Sequence, residues 1–319
     1  MLPIERKNAI LARLVADGIA SQEALVDTKA SFDQKRNNGE YEVHGYSDYK
    51  TMFEMEDLDG VYIATTWITH IHIAIDAMKA GLHVGLEVGG AASIQECFDL
   101  VRTSEETGKF CMLMENCCYG KAELMATNMA RLGVFGKISH CSGGYMHDLR
   151  SEIYSGHDGS HYRFRNYLHR NCENYPTHEL GPIAQILDIN RGNRMVSLVS
   201  MASKSAGLEQ YIKDHPEKVE KDPTLEGRRF KQGDIVNTII TCVGGETILL
   251  RLDTTLPRPY YSREFGIRGT KGFALKDTNL LNWHNPDDIV AQLSQSRQLS
   301  LSRSKCTFRR KLTGIQLIN

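Results

Sequence analysis

Apolar and polar residues alternate with two different periods along this chain, and the period changes near Gly136. Before that point, short apolar runs at 61–65 and 83–88 are each followed by apolar residues at helical spacing, at 71–80 and 93–107. A strand at 110–115 and a helix at 123–132 continue this alternation. Strands that alternate with helices of this length predict an α/β domain with a parallel sheet and right-handed crossovers.

Longer β-prone segments dominate the sequence after Lys137. They lie at 138–145, 196–202, 236–243 and 246–254. The last two are joined by Gly244-Gly245, which is a hairpin signal. A helix is predicted at 180–190, and the hydrophilic stretch 213–232 is predicted to be a surface loop. This half is therefore predicted to be an α+β domain with a mainly antiparallel, open sheet, whose open face is a candidate surface for forming homo-oligomers.

The domain organisation follows from this change of pattern. We predict an α/β domain at 1–136, an α+β domain at 137–290 and a polar tail at 291–319 that is disordered or non-native. A dinucleotide-binding domain opens with a strand and a GxGxxG turn, whose amides bind the pyrophosphate, but this motif does not occur in the chain. We therefore expect the first βα unit to be missing and the chain to be truncated at both ends.

Composition and charge narrow the class of partner. The net charge is -1 and basic residues are interleaved with acidic ones, so neither nucleic acid nor an anionic membrane is an expected partner. The sequence has no apolar run long enough for a membrane helix and no signal peptide pattern, so we expect a soluble chain, cytoplasmic as written. The eight cysteines include no CxxC pair, and His157, His161 and His169 lack a regular spacing, so no metal site is predicted.

Tyrosines, histidines and a carboxylate follow the predicted strands. Glu115 ends one strand, Tyr145 and His147 end the next, and Tyr175 and His178 precede a helix. Ligands of open α/β folds bind at the carboxyl ends of strands. Tyrosine and histidine suit general acid–base catalysis because they carry protons at a pKa that the surroundings can tune. The pattern therefore indicates an enzyme with a small-molecule substrate.

Two segments of the first half carry a family resemblance. Residues 64–70 read Ala-Thr-Thr-Trp-Ile-Thr-His, and residues 80–90 read Ala-Gly-Leu-His-Val-Gly-Leu-Glu-Val-Gly-Gly. They resemble the glucose-fructose oxidoreductase and inositol dehydrogenase superfamily (Gfo/Idh/MocA), in which one strand ends in Thr-Pro and another in Glu-Lys-Pro. The sugar dehydrogenases of the superfamily use that lysine near the nicotinamide. Val88 stands in its place here, and a valine cannot carry a proton.

Four further motifs make the resemblance more specific. They are Glu-Asn-Cys-Cys-Tyr at 115–119, Gly-Tyr-Met-His-Asp-Leu-Arg at 144–150, Tyr-Pro-Thr-His at 175–178 and Arg-Pro-Tyr at 258–260. Together with Glu87-Val88 they resemble glycoside hydrolase family 109, a branch of the superfamily whose bacterial members are often exported. The resemblance runs from about Asp17 to Lys276.

The resemblance implies an NAD-dependent glycosidase, specifically an α-N-acetylgalactosaminidase. In the implied mechanism, NAD oxidises the 3-hydroxyl of the sugar to a ketone, which acidifies the proton on C2. A modest base then removes that proton, the anomeric group is eliminated, water adds, and the same cofactor reduces the ketone. Such a mechanism needs no pair of carboxylates across the scissile bond.

The resemblance also implies roles for individual residues. The implied catalytic residues are His178, Tyr145, His147, Tyr175 and Glu115. The implied substrate contacts are Tyr145, Arg163, Tyr175, Pro176, Thr177, His178 and Tyr260. Contacts with NAD are implied for Asp17, Trp67, Ile68, Thr69, His70, Glu87, Val88 and Asn116. His178 is the leading candidate for catalysis, because a place at the amino end of a helix favours a neutral, basic imidazole.

Several alternatives stay open at the level of sequence. Asp17 fits a helix as well as a strand end, Glu115 fits a helix cap, and a single histidine is more often structural than catalytic. A sugar dehydrogenase of the same superfamily would release NADH, but it would carry the lysine that Val88 replaces. An inactive fragment is a further alternative, because a chain without the glycine-rich turn is expected to bind NAD poorly.

Overall fold

The computed structural model of the protein describes residues 46, 48–55, 58–154 and 162–276. The predictions for Asp17, His157, His161 and the tail 291–319 lie outside these residues, and the domain boundary near Gly136 stays a prediction. Among the described helices, none is both long enough and apolar enough to cross a membrane.

A three-stranded parallel sheet, here called the small sheet, forms the first half of the described chain. Its strands, in spatial order, are β1 (Gly60–Ile63), β2 (His83–Leu86) and β3 (Cys111–Leu113). The helices of this half are α1 (Tyr49–Met55), α2 (His70–Lys79) and α3 (Ile94–Thr107). The predicted alternation of strands and helices and the predicted parallel sheet are both confirmed.

Local signals in the sequence determine where α3 begins and ends, whereas the burial of an apolar face stabilises α2. Ser93 and Glu96 form a reciprocal capping box at the start of α3, and Gly108 ends it in the left-handed conformation with a φ of 65°. The apolar face of α2 packs on the small sheet. The fully or nearly fully buried residues of this core include Ile63, Ile71, Ala74, Ala77, Met78, Val84 and Leu86.

A six-stranded sheet, here called the large sheet, carries the second half. Its strands are β4 (Ile138–Met146), β5 (Met195–Ala202), β6 (Ile235–Cys242), β7 (Thr247–Asp253), β8 (Phe265–Gly269) and β9 (Phe273–Lys276). They lie in the order β5-β6-β7-β4-β8-β9. The neighbours β4 and β7 are parallel, with His140 opposite Thr247, and the other neighbouring pairs are antiparallel. The mainly antiparallel sheet and the β6–β7 hairpin at Gly244-Gly245 are therefore confirmed.

Short helices join the small sheet to the large sheet and surround the candidate site. They are a 3₁₀ helix at Asn116–Tyr119, α4 (Lys121–Arg131), α5 (Arg150–Ile153), α6 (Tyr162–His169) and α7 (Thr177–Ile186). The helix predicted at 180–190 therefore begins at Thr177, and His178 lies in its first turn. This confirms the predicted place of His178 at the amino end of a helix.

The prediction that 213–232 forms a surface loop has to be corrected, because much of this stretch is helical. The stretch from 207 to 225 contains α8 (Gly207–Asp214), α9 (Pro216–Lys221) and a 3₁₀ helix at Pro223–Leu225. Within the predicted loop, Leu225 and Phe230 are buried in one core cluster with Val236 of β6 and Leu252 of β7. The sequence misleads here because these few apolar residues are widely spaced among charged residues that face solvent.

The outer edge of the large sheet is exposed. Every residue of β5 after Met195 is exposed, and Val199 and Met201 keep 66% and 73% of their surface. The proposed use of this open surface in a homo-oligomer stays a prediction.

Candidate active site

The site forms where segments of both halves of the chain meet. Glu115 follows β3, Tyr145 lies at the carboxyl end of β4, and His178 lies in the first turn of α7. Glu115 and His178 are 63 residues apart in sequence, yet their side chains are in contact. The fold therefore brings together the motifs that the sequence singled out.

Glu115 and His178 form a buried carboxylate–imidazole pair. Nδ1 of His178 lies 2.8 Å and 3.0 Å from the two carboxylate oxygens, and the amide of Cys117 donates to Glu115 at 2.8 Å. Burial alone would raise the pKa of Glu115, but the contacts with His178 and the Cys117 amide outweigh it and lower this pKa. Because a carboxylate only accepts, Nδ1 carries the hydrogen and Nε2 is left as the acceptor. Glu115 thus both caps the 3₁₀ helix and orients an imidazole.

Aromatic rings surround this pair. The ring of Tyr145 lies 4.5 Å from that of Tyr175, 5.6 Å from that of His178 and 6.2 Å from that of His147. These distances fall in the range of favourable ring contacts. The set of Glu115, Tyr145, His147, Tyr175 and His178 is called the tyrosine–histidine wall below.

Arg163 and Trp67 connect this wall to the loop that follows β1. The guanidinium of Arg163, on α6, is buried and lies 5.0 Å from the ring of Tyr175, 5.9 Å from that of Tyr145 and 5.4 Å from that of Trp67. Trp67 also stacks on Tyr175 at 5.6 Å with an interplanar angle of 27°. Such cation–π contacts and stacking hold the two segments together.

A cavity of about 270 Å³ lies between these segments. One side is lined by Trp67, Ile68, Val88 and Gly89, which we call the strand-end wall because they follow β1 and β2. The opposite side includes residues from Cys172 to Thr177, so Tyr175, Pro176 and Thr177 line the cavity as well. Gly89 has a φ of 140°, and a Cβ added there would lie 1.9 Å from the Trp67 indole, so only glycine fits this wall as it stands.

Other residues implied to contact NAD do not line this cavity. His70 is buried, and its Nε2 is 2.8 Å from the carbonyl oxygen of Thr65. Thr69 hydrogen-bonds to the hydroxyl of Thr65 at 2.8 Å, and Glu87 accepts from the hydroxyl of Tyr62. Asn116 lies in the 3₁₀ helix beside Cys117. Their contacts in the described chain are structural, and their roles toward NAD stay predictions.

Tyr261 joins the ring cluster, although the sequence pointed to its neighbour Tyr260. The ring of Tyr261 lies 5.7 Å from that of Tyr145 and 5.4 Å from that of His147. Tyr260 is 37% exposed and lies against the guanidinium of Arg258. The arginine–proline–tyrosine motif marks the right segment, but which of two adjacent tyrosines faces the site depends on the local register of the chain.

A buried ion-pair network lies next to the first turn of α7 and was not indicated by the sequence. Glu123 is 1% exposed and contacts Nη2 of Arg263 at 2.6 Å and Nζ of Lys276 at 2.8 Å. Arg263 also donates to the carbonyl oxygen of His178 at 3.4 Å. Burial alone would lower the pKa of Arg263, but the charge of Glu123 keeps it above its ordinary value. The network therefore ties α4 and β9 to the first turn of α7.

Glu173 is a second residue that the sequence did not reveal. Its Oε1 accepts from the amide of Tyr175 at 3.3 Å, and its Oε2 is buried with no hydrogen-bond partner among the described residues. Burial raises the pKa of Glu173 to about 7. The side chain of Gln232 fixes this loop. It donates to the carbonyl oxygen of Cys172 at 3.0 Å and accepts from the side-chain amide of Asn174 at 3.1 Å.

The fold defines the class of protein first: a Rossmann-type sheet with a cavity at its strand ends, followed by an α+β domain. A solved structure with this fold is an inositol dehydrogenase homologue from Azotobacter vinelandii, complexed with NAD⁺. It matches with a TM-score of 0.56 and 18% identity, over 72% of this chain and 56% of that chain. This likeness confirms the predicted fold.

The family follows from the sequence. Residues 119–289 match the family described as "Glycosyl hydrolase 109, C-terminal domain", and residues 11–115 match "Oxidoreductase family, NAD-binding Rossmann fold". The chain belongs to glycosyl hydrolase family 109, which confirms the resemblance.

Two relatives show how much of the family's length the chain covers. "Glycosyl hydrolase family 109 protein 2" of Phocaeicola vulgatus is 39% identical over 269 residues, which is 79% of this chain and 64% of that protein. "Alpha-N-acetylgalactosaminidase" of Bacteroides fragilis is 41% identical over 236 residues, which is 73% of this chain and 55% of that protein. The chain therefore spans between 55% and 64% of the length of these relatives.

Proposed function

We propose that the protein is an NAD-dependent glycosidase that removes terminal α-N-acetylgalactosamine. Family membership and the name of the Bacteroides fragilis relative support the substrate. The NAD-binding family match and the NAD⁺-bound homologue support the cofactor. The single observation that carries the proposal is the contact between Glu115 and His178, inside the tyrosine–histidine wall and next to a cavity lined by Val88.

The strand-end wall fits the nicotinamide end of NAD. Trp67, Ile68 and Val88 give the cavity an apolar lining in the loops that follow β1 and β2, where dinucleotides bind in this type of fold. Gly89 lets the Trp67 indole lie directly against the backbone of this wall, since a Cβ at this position would lie 1.9 Å from the indole. Bound NAD would supply the reversible oxidation of the 3-hydroxyl of the sugar.

The tyrosine–histidine wall supplies the proton carriers for the remaining steps. Glu115 holds Nδ1–H of His178, so Nε2 is available to remove the C2 proton, which a 3-ketone makes acidic. Tyr145 and Tyr175 place phenols beside His178, where they exchange protons with the 3-hydroxyl and the leaving group. His147, whose ring contacts Tyr145, assists these proton transfers. Arg163 and Thr177 orient the sugar. Val88 carries no proton, so the tyrosines and the histidines carry out the proton transfers.

Cofactor content and products together test the proposal. The purified chain is denatured to release and quantify NAD, and a second sample is incubated with p-nitrophenyl α-N-acetylgalactosaminide. We expect bound NAD, at the latest after incubation with excess cofactor, together with release of nitrophenol and no net NADH. Net NADH with a free sugar would instead identify a dehydrogenase. Absence of product after incubation with excess NAD would contradict the proposal and indicate an inactive chain.

A further inference from the structure

Three side chains with different donor atoms meet beside the 3₁₀ helix. They are the carboxylate of Glu115, the thiol of Cys117 and the imidazole of His178, and one donor atom from each lies within 4.8 Å of the other two. Glu115 is buried, whereas Cys117 and His178 are partly accessible. Carboxylate, thiolate and imidazole are the three kinds of ligand that Zn²⁺ takes from proteins, and three protein ligands leave a fourth position open.

We infer that Glu115, Cys117 and His178 bind Zn²⁺ or a similar thiophilic divalent cation, and that the bound cation inhibits the enzyme. The binding part of this inference stands on the ligand set alone. The inhibition part rests on the proposed function, because it concerns the same imidazole.

The geometry needs only a small adjustment to accept a tetrahedral cation. Zn²⁺ lies about 2.0 Å from nitrogen and oxygen ligands and about 2.3 Å from sulfur, which places neighbouring ligand atoms roughly 3.3 to 3.8 Å apart. Nδ1 of His178 is 2.8 Å and 3.0 Å from the oxygens of Glu115, so these two ligands have to move apart by about 0.5 Å. The sulfur of Cys117 has to approach by about 1 Å, which rotation about its Cα–Cβ bond can provide.

Charge also favours a divalent cation here. One thiolate and one carboxylate neutralise the two positive charges, while the imidazole binds as a neutral ligand. On binding, the S–H bond of Cys117 breaks, an S–Zn bond forms and the proton leaves to solvent. The hydrogen of His178 moves from Nδ1 to Nε2, because Nδ1 now binds the cation. Nε2 is then a donor and can no longer accept a proton from the sugar.

Adjacent cysteines offer a matched test of the binding part. Cys118 is 7% exposed and next to Cys117, but it is not one of the three converging ligands. The whole chain, stripped of metal with a chelator, is titrated with Cd²⁺ while the ultraviolet charge-transfer band of a metal thiolate is recorded. We expect a band that saturates at one equivalent in the unchanged protein and in Cys118→Ser, and no band in Cys117→Ser. Far-ultraviolet circular dichroism checks that each variant is folded.

The outcomes separate the metal site from the proposed function. Absence of the band at millimolar Cd²⁺, or its persistence in a folded Cys117→Ser variant, would overturn the inference even if glycosidase activity is present. A band in a chain without glycosidase activity would support the binding part and contradict the proposed function. Where activity is present, we expect Zn²⁺ to inhibit the unchanged protein and to need at least about a tenfold higher concentration in Cys117→Ser. Inhibition that is equal in both would contradict the second part.

Discussion

The strand-end wall, which lines the cavity, and the tyrosine–histidine wall, which reaches the cavity only at Tyr175, are built in different ways. In the tyrosine–histidine wall, Glu115 is 5% exposed and Tyr145 8% exposed, and hydrogen bonds and ring contacts fix the imidazole of His178. The strand-end wall consists of loop residues, where the Trp67 indole takes up the space that a side chain at position 89 would need. A proton carrier has to stay within hydrogen-bonding distance of its target, so its geometry is set in advance. A cofactor surface can remain open, because the bound ligand completes the packing.

The largest effect is expected in the tyrosine–histidine wall. The change His178→Ala removes the proposed base, and general acid–base catalysis contributes about 100- to 10,000-fold to rate. We expect kcat to fall by this amount while NAD content stays unchanged. The matched control is His72→Ala, since the His72 side chain is 67% exposed and forms a salt bridge with Glu96 at the start of α3. A fall of less than about tenfold would place the base elsewhere in the wall.

The second-largest effect is expected for Glu173, as a change in folding stability with pH. The pKa of this carboxyl is raised by burial from 4.5 to about 7 in the folded protein. At this carboxyl the unfolded chain ionises first, so the contribution of Glu173 to folding stability is most favourable below pH 4.5 and falls as the pH rises to about 7. The shift corresponds to a loss on the order of 3 kcal/mol.

The change Glu173→Gln should remove this loss, because the amide stays neutral at every pH. The free energy of unfolding is measured by urea titration at several pH values between about 4.5 and 8. The control is Glu220→Gln on the exposed side of α9. Parallel pH profiles for Glu173→Gln and the unchanged protein would show that the carboxyl is not buried in the way described.

A smaller effect is expected in the strand-end wall. The change Gly89→Ala adds a Cβ at a φ of 140° and 1.9 Å from the Trp67 ring, so Trp67 has to move into the cavity. We expect NAD to bind at least about tenfold more weakly, and the melting temperature to fall by a few degrees because the strained backbone costs about 1–3 kcal/mol. In Gly90→Ala the added Cβ meets nothing within 4 Å, so this variant should bind NAD normally. Equal binding by both variants would argue against NAD in this cavity.

The smallest effect compares two neighbouring tyrosines. Tyr261→Leu loses ring contacts with Tyr145 and His147, each worth roughly 0.5–1.5 kcal/mol, so we expect about a tenfold fall in kcat/KM. Tyr260→Leu should cost less, because Tyr260 is 37% exposed and contacts Arg258. A larger loss of kcat/KM in Tyr260→Leu than in Tyr261→Leu would support the substrate contact that the sequence motif implied for Tyr260.

The parts of the fold that local signals determine could be predicted from the sequence. Ser93, Glu96 and Gly108 mark both ends of α3 within a short stretch, and the helix forms where they indicate. The position of His178 at a helix start was likewise readable from its motif. The helical turns between 216 and 225 were missed because the apolar residues of this stretch are few, and Leu225 and Phe230 are buried only by contacts with later residues of β6 and β7.

The site was predictable as a set of motifs but not as a set of contacts. Glu115 and His178 were both predicted, yet their mutual hydrogen bond depends on how two halves of the chain pack. Glu173 is buried because Gln232, about 60 residues further on, holds its loop. The orientation of Tyr261 depends on pairing between Met146 and Ser262. Such features depend on long-range packing, which a pattern of apolar and polar positions does not encode.

The parallel pairing of β4 with β7 affects how the site is assembled during synthesis. His140 pairs with Thr247, 107 residues later, so the strand that carries Tyr145 gains this neighbour only after β7 has left the ribosome. Contacts between such distant residues form slowly, because a long loop has to close first. Until β7 and then β8 have been synthesised, β4 has unpaired edges and exposed aromatic residues, which favour aggregation. The strand that carries Tyr145 is thus one whose late pairing exposes the nascent chain to aggregation.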